Sequence, residues 1–144
     1  MAVTDRSRGF TLVELLVVVA LIAIASGLAS LALRDPTANR LDQEGARLAA
    51  LLESARAEAR ASGLAVRWEP QTLTPGFRFI GLPAKEALPD HWLTEGVTAD
   101  IVGAHSVVLG PEPLIPAQRI VLSLGDRRLT LATDGLGPFE VTSE

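Results

Sequence analysis

The feature that most constrains this chain is a long apolar run near its beginning, Phe10–Leu33. These 24 residues include no lysine, arginine, aspartate or histidine, and Glu14 is their one ionisable side chain. As an α-helix the run would be about 36 Å long, because each residue rises by about 1.5 Å. That length is enough to cross a hydrocarbon core of about 30 Å. The sequence therefore predicts a membrane-spanning helix that carries one carboxylate.

Three interpretations of this run compete. A cleaved secretory signal is consistent with the Ala-x-Ala sequence at residues 23–25, but a carboxylate fits poorly in the apolar core of a signal. A buried core helix is seldom this long without a polar face. A retained membrane anchor fits the length, although Glu14 is costly there unless a cation pairs with it. A free α-amino group, made by cutting the chain between Gly9 and Phe10, would be mostly protonated at neutral pH and could serve as that cation.

The charged residues of the chain indicate how the run is oriented in the membrane and which classes of partner the chain can bind. Arg6 and Arg8 precede it, so the positive-inside bias places the N-terminus in the cytoplasm and the rest of the chain across the membrane. The formal net charge of the chain is −4, which gives it little general attraction for nucleic-acid backbones. The C-terminal half has one small basic cluster, Arg119, Arg127 and Arg128. The sequence contains no cysteine, so disulfides and thiolate metal sites are excluded.

The sequence from Gly9 to Leu15, Gly-Phe-Thr-Leu-Val-Glu-Leu, resembles the type III signal of type IV pilins and of the pseudopilins of type II secretion. This resemblance implies that a prepilin peptidase cuts after Gly9 and that Phe10 becomes the N-methylated terminus. It also implies that Glu14 pairs with the N-terminal amine of a neighbouring subunit during assembly. The expected location is then the inner membrane, crossed once, with a periplasmic C-terminal domain.

A second helix is expected after Arg34-Asp35-Pro36, where the proline should kink or unwind the chain. Its charged residues include the pairs Glu44–Arg47 and Glu53–Arg56, whose i, i+3 spacing modestly supports a helix. We interpret these charges as a solvated face. Ser62-Gly63 is a credible end of the helix. One apolar stripe should pack on the downstream domain, and it comprises Leu41, Gly45, Leu48, Leu52, Ala55 and Ala59.

The period of the apolar residues changes to two from Leu64 onward, which predicts strands. A first strand should end at Pro70, and the clearest hairpin should turn at Gly125-Asp126. The predicted fold is α+β and pilin-like, with a long N-terminal helix packed on an antiparallel β-rich globular domain. The predicted segments are a leader at 1–9, a transmembrane and assembly helix at 10–33, an amphipathic periplasmic helix at 34–62 and a β-rich periplasmic domain at 63–144.

The later segments resemble the H-type minor pseudopilins of type II secretion (the GspH family). The resemblance is carried by the Ala-Arg-Ala-Glu-Ala-Arg core of the second helix, the strand Val66-Arg67-Trp68 and the sequence from Thr133 to Phe139. It implies a structural subunit near the tip of a periplasmic pseudopilus that drives export of folded proteins. The implied partners are the major pseudopilin, the tip minor pseudopilins, the prepilin peptidase and inner-membrane lipid, with no nucleic acid. The alternative is a minor pilin of a type IV pilus, in pilus assembly or DNA uptake.

No residue pattern predicts catalysis or a cofactor. His91 and His105 have no second ligand at a metal-binding spacing, and no serine lies in a Gly-x-Ser-x-Gly sequence. Asp134 and Glu140 could share a cation, although a solvated turn carboxylate is the favoured interpretation of Asp134. We therefore expect no enzyme, no metal and no cofactor.

Overall fold

A computed structural model describes residues 10–32 and 35–142 of the chain. It contains two compact units, the first ending at Asp35 and the second beginning at Pro36. The predicted cleavage residue Gly9 lies outside the described residues, as do Leu33 and Arg34. Each unit is described by itself.

The first unit contains helix α1, Leu12–Ala32. Every side chain from Phe10 to Leu28 is exposed within this chain, and the apolar residues surround the helix on all sides. A helix that is apolar all round normally has its surface covered by other protein or by lipid. Among the described residues, no helix meets both the length and the hydropathy needed to cross a membrane.

The second unit begins with helix α2, Pro36–Ser62. Proline is well tolerated at the first helical position because its missing N–H would have no intrahelical partner there. The helix ends where Gly63 adopts a φ of +67°, the left-handed conformation typical of a residue that stops a helix. All six residues of the predicted apolar stripe are buried, so this prediction is confirmed. Gly45 lies so close to the side chain of Leu129 that a Cβ there would overlap it.

In the described part of the second unit, seven strands form two antiparallel sheets. A three-stranded sheet has the order β2-β1-β4, and a four-stranded sheet has the order β3-β5-β6-β7. A short 3-10 helix at Ala84–Glu86 lies between β2 and β3. The strands are β1 Arg67–Pro70, β2 Phe77–Ile80, β3 Thr98–Ile101, β4 Val107–Val108, β5 Gln118–Leu124, β6 Arg127–Thr133 and β7 Glu140–Thr142. Together with α2 they confirm the α+β class and the antiparallel β-rich domain.

The core of this unit lies between α2 and the sheets, and β5 and β6 supply much of it. The β5–β6 hairpin turns at Gly125-Asp126 as predicted, with Leu122 opposite Leu129 and Ile120 opposite Leu131. Aromatic rings fill the region near β1 and β2. The ring centroid of Phe77 lies 5.8 Å from that of Trp68 and 4.7 Å from that of Trp92. Contacts of this kind add to the stability gained from burying the rings.

The first predicted strand begins later than its alternation suggested. The alternation began at Leu64, but β1 begins at Arg67 and the Leu64 side chain is 45% exposed. The chain has just left α2 at Gly63, so Leu64 belongs to the connection and has no neighbouring strand to pair with in the described ladders. Pairing reaches this segment at Val66, whose carbonyl oxygen accepts a hydrogen bond from the Leu109 N–H.

Candidate assembly site

The N-terminus of α1 holds the two described residues of the predicted assembly site, Phe10 and Glu14. Phe10 precedes the helix and its side chain is 69% exposed. Glu14 stands in the first turn, where its backbone N–H donates to Oγ1 of Thr11 at 3.2 Å. The Leu15 N–H donates to the carbonyl oxygen of Thr11 at 3.1 Å. Thr11 is therefore the N-cap of α1, and its hydroxyl satisfies one of the N–H groups that lack an intrahelical partner.

The Glu14 carboxylate lies at the end of α1 where the helix dipole is positive. Thr11 and Glu14 have the Thr-x-x-Glu spacing of a capping box, in which the threonine receives the N–H of the glutamate. Within residues 10–32 and 35–142, no ion pair includes Glu14. The chain thus places an exposed carboxylate at the start of an apolar helix, beside a terminus that would be created by cutting before Phe10.

A second set of charged residues forms two clamps on α2. In the first clamp, Oε1 of Glu44 accepts a hydrogen bond from the Thr94 N–H at 2.5 Å, while Nη1 of Arg47 donates to the carbonyl oxygen of His91 at 2.9 Å. The two side chains also pair with each other at 3.6 Å. Glu44 is 2% exposed, although the sequence placed it on a solvated face. The pair fixes the segment from His91 to Thr94 against α2.

The second clamp has the same design and holds the loop between β6 and β7. Arg56 donates to the carbonyl oxygens of Gly137 at 2.7 Å and of Gly135 at 2.8 Å. Oε1 of Glu53 accepts from the Phe139 N–H at 3.1 Å and lies 3.6 Å from Nη1 of Arg56. Arg56 is 1% exposed, so its assignment to a solvated face was wrong. Two carbonyl oxygens and a carboxylate replace water at Nη1 and Nη2 of this buried guanidinium, whereas its Nε has no hydrogen-bond partner among the described residues.

Side chains of the loop itself complete its hydrogen bonding. Oγ1 of Thr133 donates to the Gly137 carbonyl at 2.9 Å and accepts from the Gly135 N–H at 3.0 Å. Oδ1 of Asp134 accepts from the N–H groups of Gly137 at 2.8 Å and Leu136 at 2.9 Å. These two hydrogen bonds stabilise the ionised form, and they hold the pKa of the Asp134 carboxyl below its usual value. Asp134 is thus a turn carboxylate, as the favoured interpretation had it.

The role of these charged pairs in holding distant loops was not predicted from the sequence, although the sequence contained a signal for it. Glu44 stands three residues after Leu41, and Arg56 stands four residues after Leu52, so both lie on the face of the apolar stripe. A charged residue at a stripe position indicates a buried group that needs polar partners from elsewhere. The i, i+3 spacing of each pair along the helix does not by itself distinguish a buried pair from a solvated one.

The predicted basic cluster is divided by the hairpin. Arg127 and Arg128 lie at the turn end of β6, whereas Arg119 pairs with Ala132 near the other end. Ala132 lies four positions after Arg128 on β6, a distance of about 14 Å. His91 and His105 are not joined into a metal site: among the described residues, no group of three or more acidic, histidine or cysteine side chains could hold a metal ion.

The comparisons with known proteins agree on the class of the chain. Residues 4–30 match the model of the prokaryotic N-terminal methylation motif, which covers Gly9, Phe10 and Glu14. The fold is similar to that of the type IV minor pilin FimU from Pseudomonas aeruginosa, with a TM-score of 0.54 over 74% of this chain and 89% of that one. This is a pilin-like protein. The identity to FimU is 15%, so that similarity is one of fold. A sequence search of curated proteins gives no match.

The matched motif and the pilin-like fold are both in accord with the cap at Thr11 and the position of Glu14 in the first turn of α1. Pilin-like proteins are processed by a prepilin peptidase and assemble with other pilins, and their N-terminal motif implies anchoring at the inner membrane. In this pilin-like chain the matched motif includes the cap of α1 and the carboxylate of its first turn. The clamps lie outside the matched residues, in the second unit.

Proposed function

We propose that this pilin-like chain is a minor pseudopilin of type II secretion, of the H type. It would be a structural subunit near the tip of the periplasmic pseudopilus that drives export of folded proteins across the outer membrane. The observation that carries this proposal is the carboxylate of Glu14 in the first turn of the apolar helix α1, within the residues that match the N-terminal methylation motif. The proposed location is the inner membrane, with the N-terminus cytoplasmic and the second unit periplasmic.

In this proposal the prepilin peptidase cuts between Gly9 and Phe10 and methylates the new terminus. The amine of Phe10 would carry a positive charge at neutral pH. The Glu14 carboxylate of an adjacent subunit would then accept it. Before cleavage the Phe10 nitrogen is an uncharged amide, so the pairing becomes available only after processing.

The free-energy cost of burying the Glu14 carboxylate exceeds what the helix itself returns, and this comparison favours an external partner. A carboxylate at the centre of a transmembrane helix costs about 2.5–3.5 kcal/mol by insertion scales, and less near the end of the helix. The helix dipole returns only about 0.3–1 kcal/mol to an anion in the first turn. Packing against other apolar helices removes the remaining water and raises the cost. The helix dipole is therefore insufficient, and a cation from a neighbouring subunit offsets the rest.

The test compares two variants of the full-length chain in cells that make the filament. Glu14→Ala should still enter the membrane and be processed, but its recovery in sheared filaments should fall at least tenfold, which corresponds to a loss of about 1.4 kcal/mol. Thr11→Val is the matched control, because it removes the cap oxygen and keeps the carboxylate, and its recovery should fall less. Unchanged recovery of Glu14→Ala would refute the proposed role.

The mass of the membrane-extracted protein tests the processing step separately. We expect the loss of residues 1–9 and the gain of one methyl group on Phe10. Cleavage near Ala25 would instead identify a secretory signal and would contradict both the anchor and the assembly role.

A second candidate is a minor pilin of a type IV pilus, and the fold similarity to FimU favours it, since that protein is a type IV minor pilin. Deletion of the gene separates the candidates: loss of exported enzymes with intact pili supports the pseudopilin, and loss of pili with intact export supports the pilin. For a role in DNA uptake, a gel shift with residues 34–144 at several salt concentrations is decisive. We expect no retardation, because the three candidate arginines are divided between the ends of the hairpin.

A further inference from the structure

Two loops of the second unit are joined by a backbone hydrogen bond, and each exposes apolar side chains. The loops comprise residues 110–117 and 134–139, and they meet where the Ile115 N–H donates to the Gly135 carbonyl oxygen at 3.5 Å. Leu114 and Leu136, each one residue from this contact, are 65% and 73% exposed. We call the exposed apolar residues of these loops the loop patch, and it comprises Pro113, Leu114, Pro116, Leu136 and Pro138.

The loop patch is held in a fixed conformation from below. The Arg56 clamp binds the carbonyl oxygens of Gly135 and Gly137, and Thr133 and Asp134 bind the N–H groups between them. Gly135 has a φ of +92°, and a Cβ there would overlap the carbonyl oxygen of Ile115. A loop that is already ordered loses little conformational entropy on binding, so its exposed leucine can contribute more of its burial energy to affinity.

The charged side chains within the two loops are all acidic, and the exposed arginine nearest to them in the sequence, Arg119, lies on β5 two residues beyond the first loop. Glu112 and Asp134 are exposed on the two loops, and exposed Glu140 begins the strand that follows. The sequence has no lysine or arginine in residues 110–117 or 134–142. An apolar surface with an acidic rim is complementary to an apolar surface with a basic rim, and such complementarity selects partners and speeds their encounter. A second copy of this chain, with a formal net charge of −4, is a poorer match at long range.

We propose that the loop patch docks onto a different pilin-like subunit, one that presents an apolar surface rimmed by lysine or arginine. This inference rests on the proposed function, because it takes the chain to be a subunit of a filament. The two leucines supply the contact area, Arg56 fixes the loops from beneath, and Glu112 and Glu140 select the basic partner.

Site-specific photo-crosslinking in the native host tests the docking. The full-length chain receives p-benzoylphenylalanine at position 114 or 136, and the adducts are identified by mass spectrometry. Both positions should give an adduct with one other protein that carries the N-terminal methylation motif. Position 73 is the matched control, since Leu73 is 98% exposed on the β1–β2 loop and should give at least fivefold less of that adduct.

Charge reversal tests the choice of partner. Glu112→Lys with Glu140→Lys should lower the adduct from position 136 at least fivefold and leave the thermal melt of the protein unchanged. Asp42→Lys, which reverses an exposed acid on α2, should leave the adduct as it is. Equal adduct in both variants would overturn the role of the acidic rim.

The remaining outcomes separate this inference from the proposed function. Recovery of the chain in sheared filaments without an adduct at 114 or 136 would overturn the docking and leave the proposed function standing. An adduct only with a second copy, or only with a protein lacking the motif, would also overturn it. An adduct with another pilin-like subunit in the membrane, from a chain that never enters filaments, would support the docking and refute the proposed function.

Discussion

Replacing Arg56 by alanine removes the most deeply buried cation of α2 and releases the loop between β6 and β7. The guanidinium donates to the carbonyl oxygens of Gly137 and Gly135 at 2.7 and 2.8 Å. Each hydrogen bond from a charged group contributes about 1.5–3 kcal/mol. Simple addition would give about 3–6 kcal/mol for the two together.

Three contacts that survive the substitution place the expected cost at the lower end of this range. The Gly137 carbonyl keeps the Thr133 hydroxyl at 2.9 Å, and the Gly135 carbonyl keeps the Ile115 N–H at 3.5 Å. The carboxylate left behind, Glu53, is 35% exposed and keeps the Phe139 N–H at 3.1 Å, so water can replace the lost cation. We therefore expect Arg56→Ala to lower the free energy of unfolding by about 3 kcal/mol.

Urea unfolding of a fragment comprising residues 36–144 measures this change, because that fragment carries every buried residue of the core. With a slope of about 1.5 kcal/mol per molar, a loss of 3 kcal/mol lowers the midpoint by about 2 M. Arg60→Ala is the matched control: it removes an exposed arginine of the last turn of the same helix and should cost no more than about 0.5 kcal/mol. Arg56→Lys should fall between them, since one ammonium cannot reproduce the planar fork.

The same unfolding measurements can refute the stabilising role of the Arg56 clamp. If Arg56→Ala unfolds within about 0.5 kcal/mol of Arg60→Ala, the two carbonyl contacts contribute nothing to stability beyond an ordinary surface charge. A stable Arg56→Ala fragment with altered amide resonances only at residues 134–139 would show that the clamp positions the loop without stabilising the fold.

Two further predictions concern the same loop. Asp134→Asn should make the free energy of unfolding less dependent on pH in the acid range. The pKa of Asp134 is lower in the folded state, so the stability that the ionised carboxylate contributes is complete above about pH 4 and is lost as the pH falls through that lowered pKa. Unfolding at pH 7 and pH 3 measures it, and a variant as acid-sensitive as the wild type would contradict it. Gly135→Ala should destabilise by at least about 2 kcal/mol, because its φ of +92° is strained and its Cβ would overlap Ile115. Gly103→Ala, at a φ of +74° in open space, should cost about 1 kcal/mol in the same unfolding assay, and equal losses would exclude the overlap as the cause.

Periodic features of the sequence predicted much of the fold. The stripe from Leu41 to Ala59 is buried on α2, and the alternation around Gly125-Asp126 forms the β5–β6 hairpin. Both signals are local, since they depend on residues within one helix or on two strands joined by a tight turn. The sheet order is non-local: β3 lies beside β5 and β4 beside β1, and each pairing closes over a longer connection. No spacing within the sequence specified these partners.

The clamps show why the candidate site was predicted only in part. The motif Gly9-Phe10-Thr11-Leu12-Val13-Glu14 is contiguous, so its resemblance to a known signal was enough to predict the residues of an N-terminal assembly site. Arg56 instead binds carbonyl oxygens 79 and 81 positions further along the chain. Backbone carbonyl groups have no sequence identity, and any residue can supply one. A pattern of side chains therefore could not identify these partners, although it could have indicated that Arg56 needed some.

Three helical glutamates, Glu14, Glu44 and Glu53, differ in the partners that the chain offers to their carboxylates. This difference supports an external partner for Glu14. Glu44 and Glu53 each have an arginine three residues later and accept a backbone N–H from a distant loop at Oε1, so the chain itself supplies partners for both carboxylates, although the buried Oε2 of Glu44 has no hydrogen bond. Glu14 has Val17 and Val18 at the corresponding positions and Phe10 and Thr11 at the preceding ones, so the helix offers its carboxylate no cationic side chain. Because α1 cannot form a clamp of its own, its carboxylate either stays in water or accepts a cation from another molecule. The exposed apolar surface of α1 favours assembly with another molecule. That molecule must then also supply the cation that pairs with the Glu14 carboxylate.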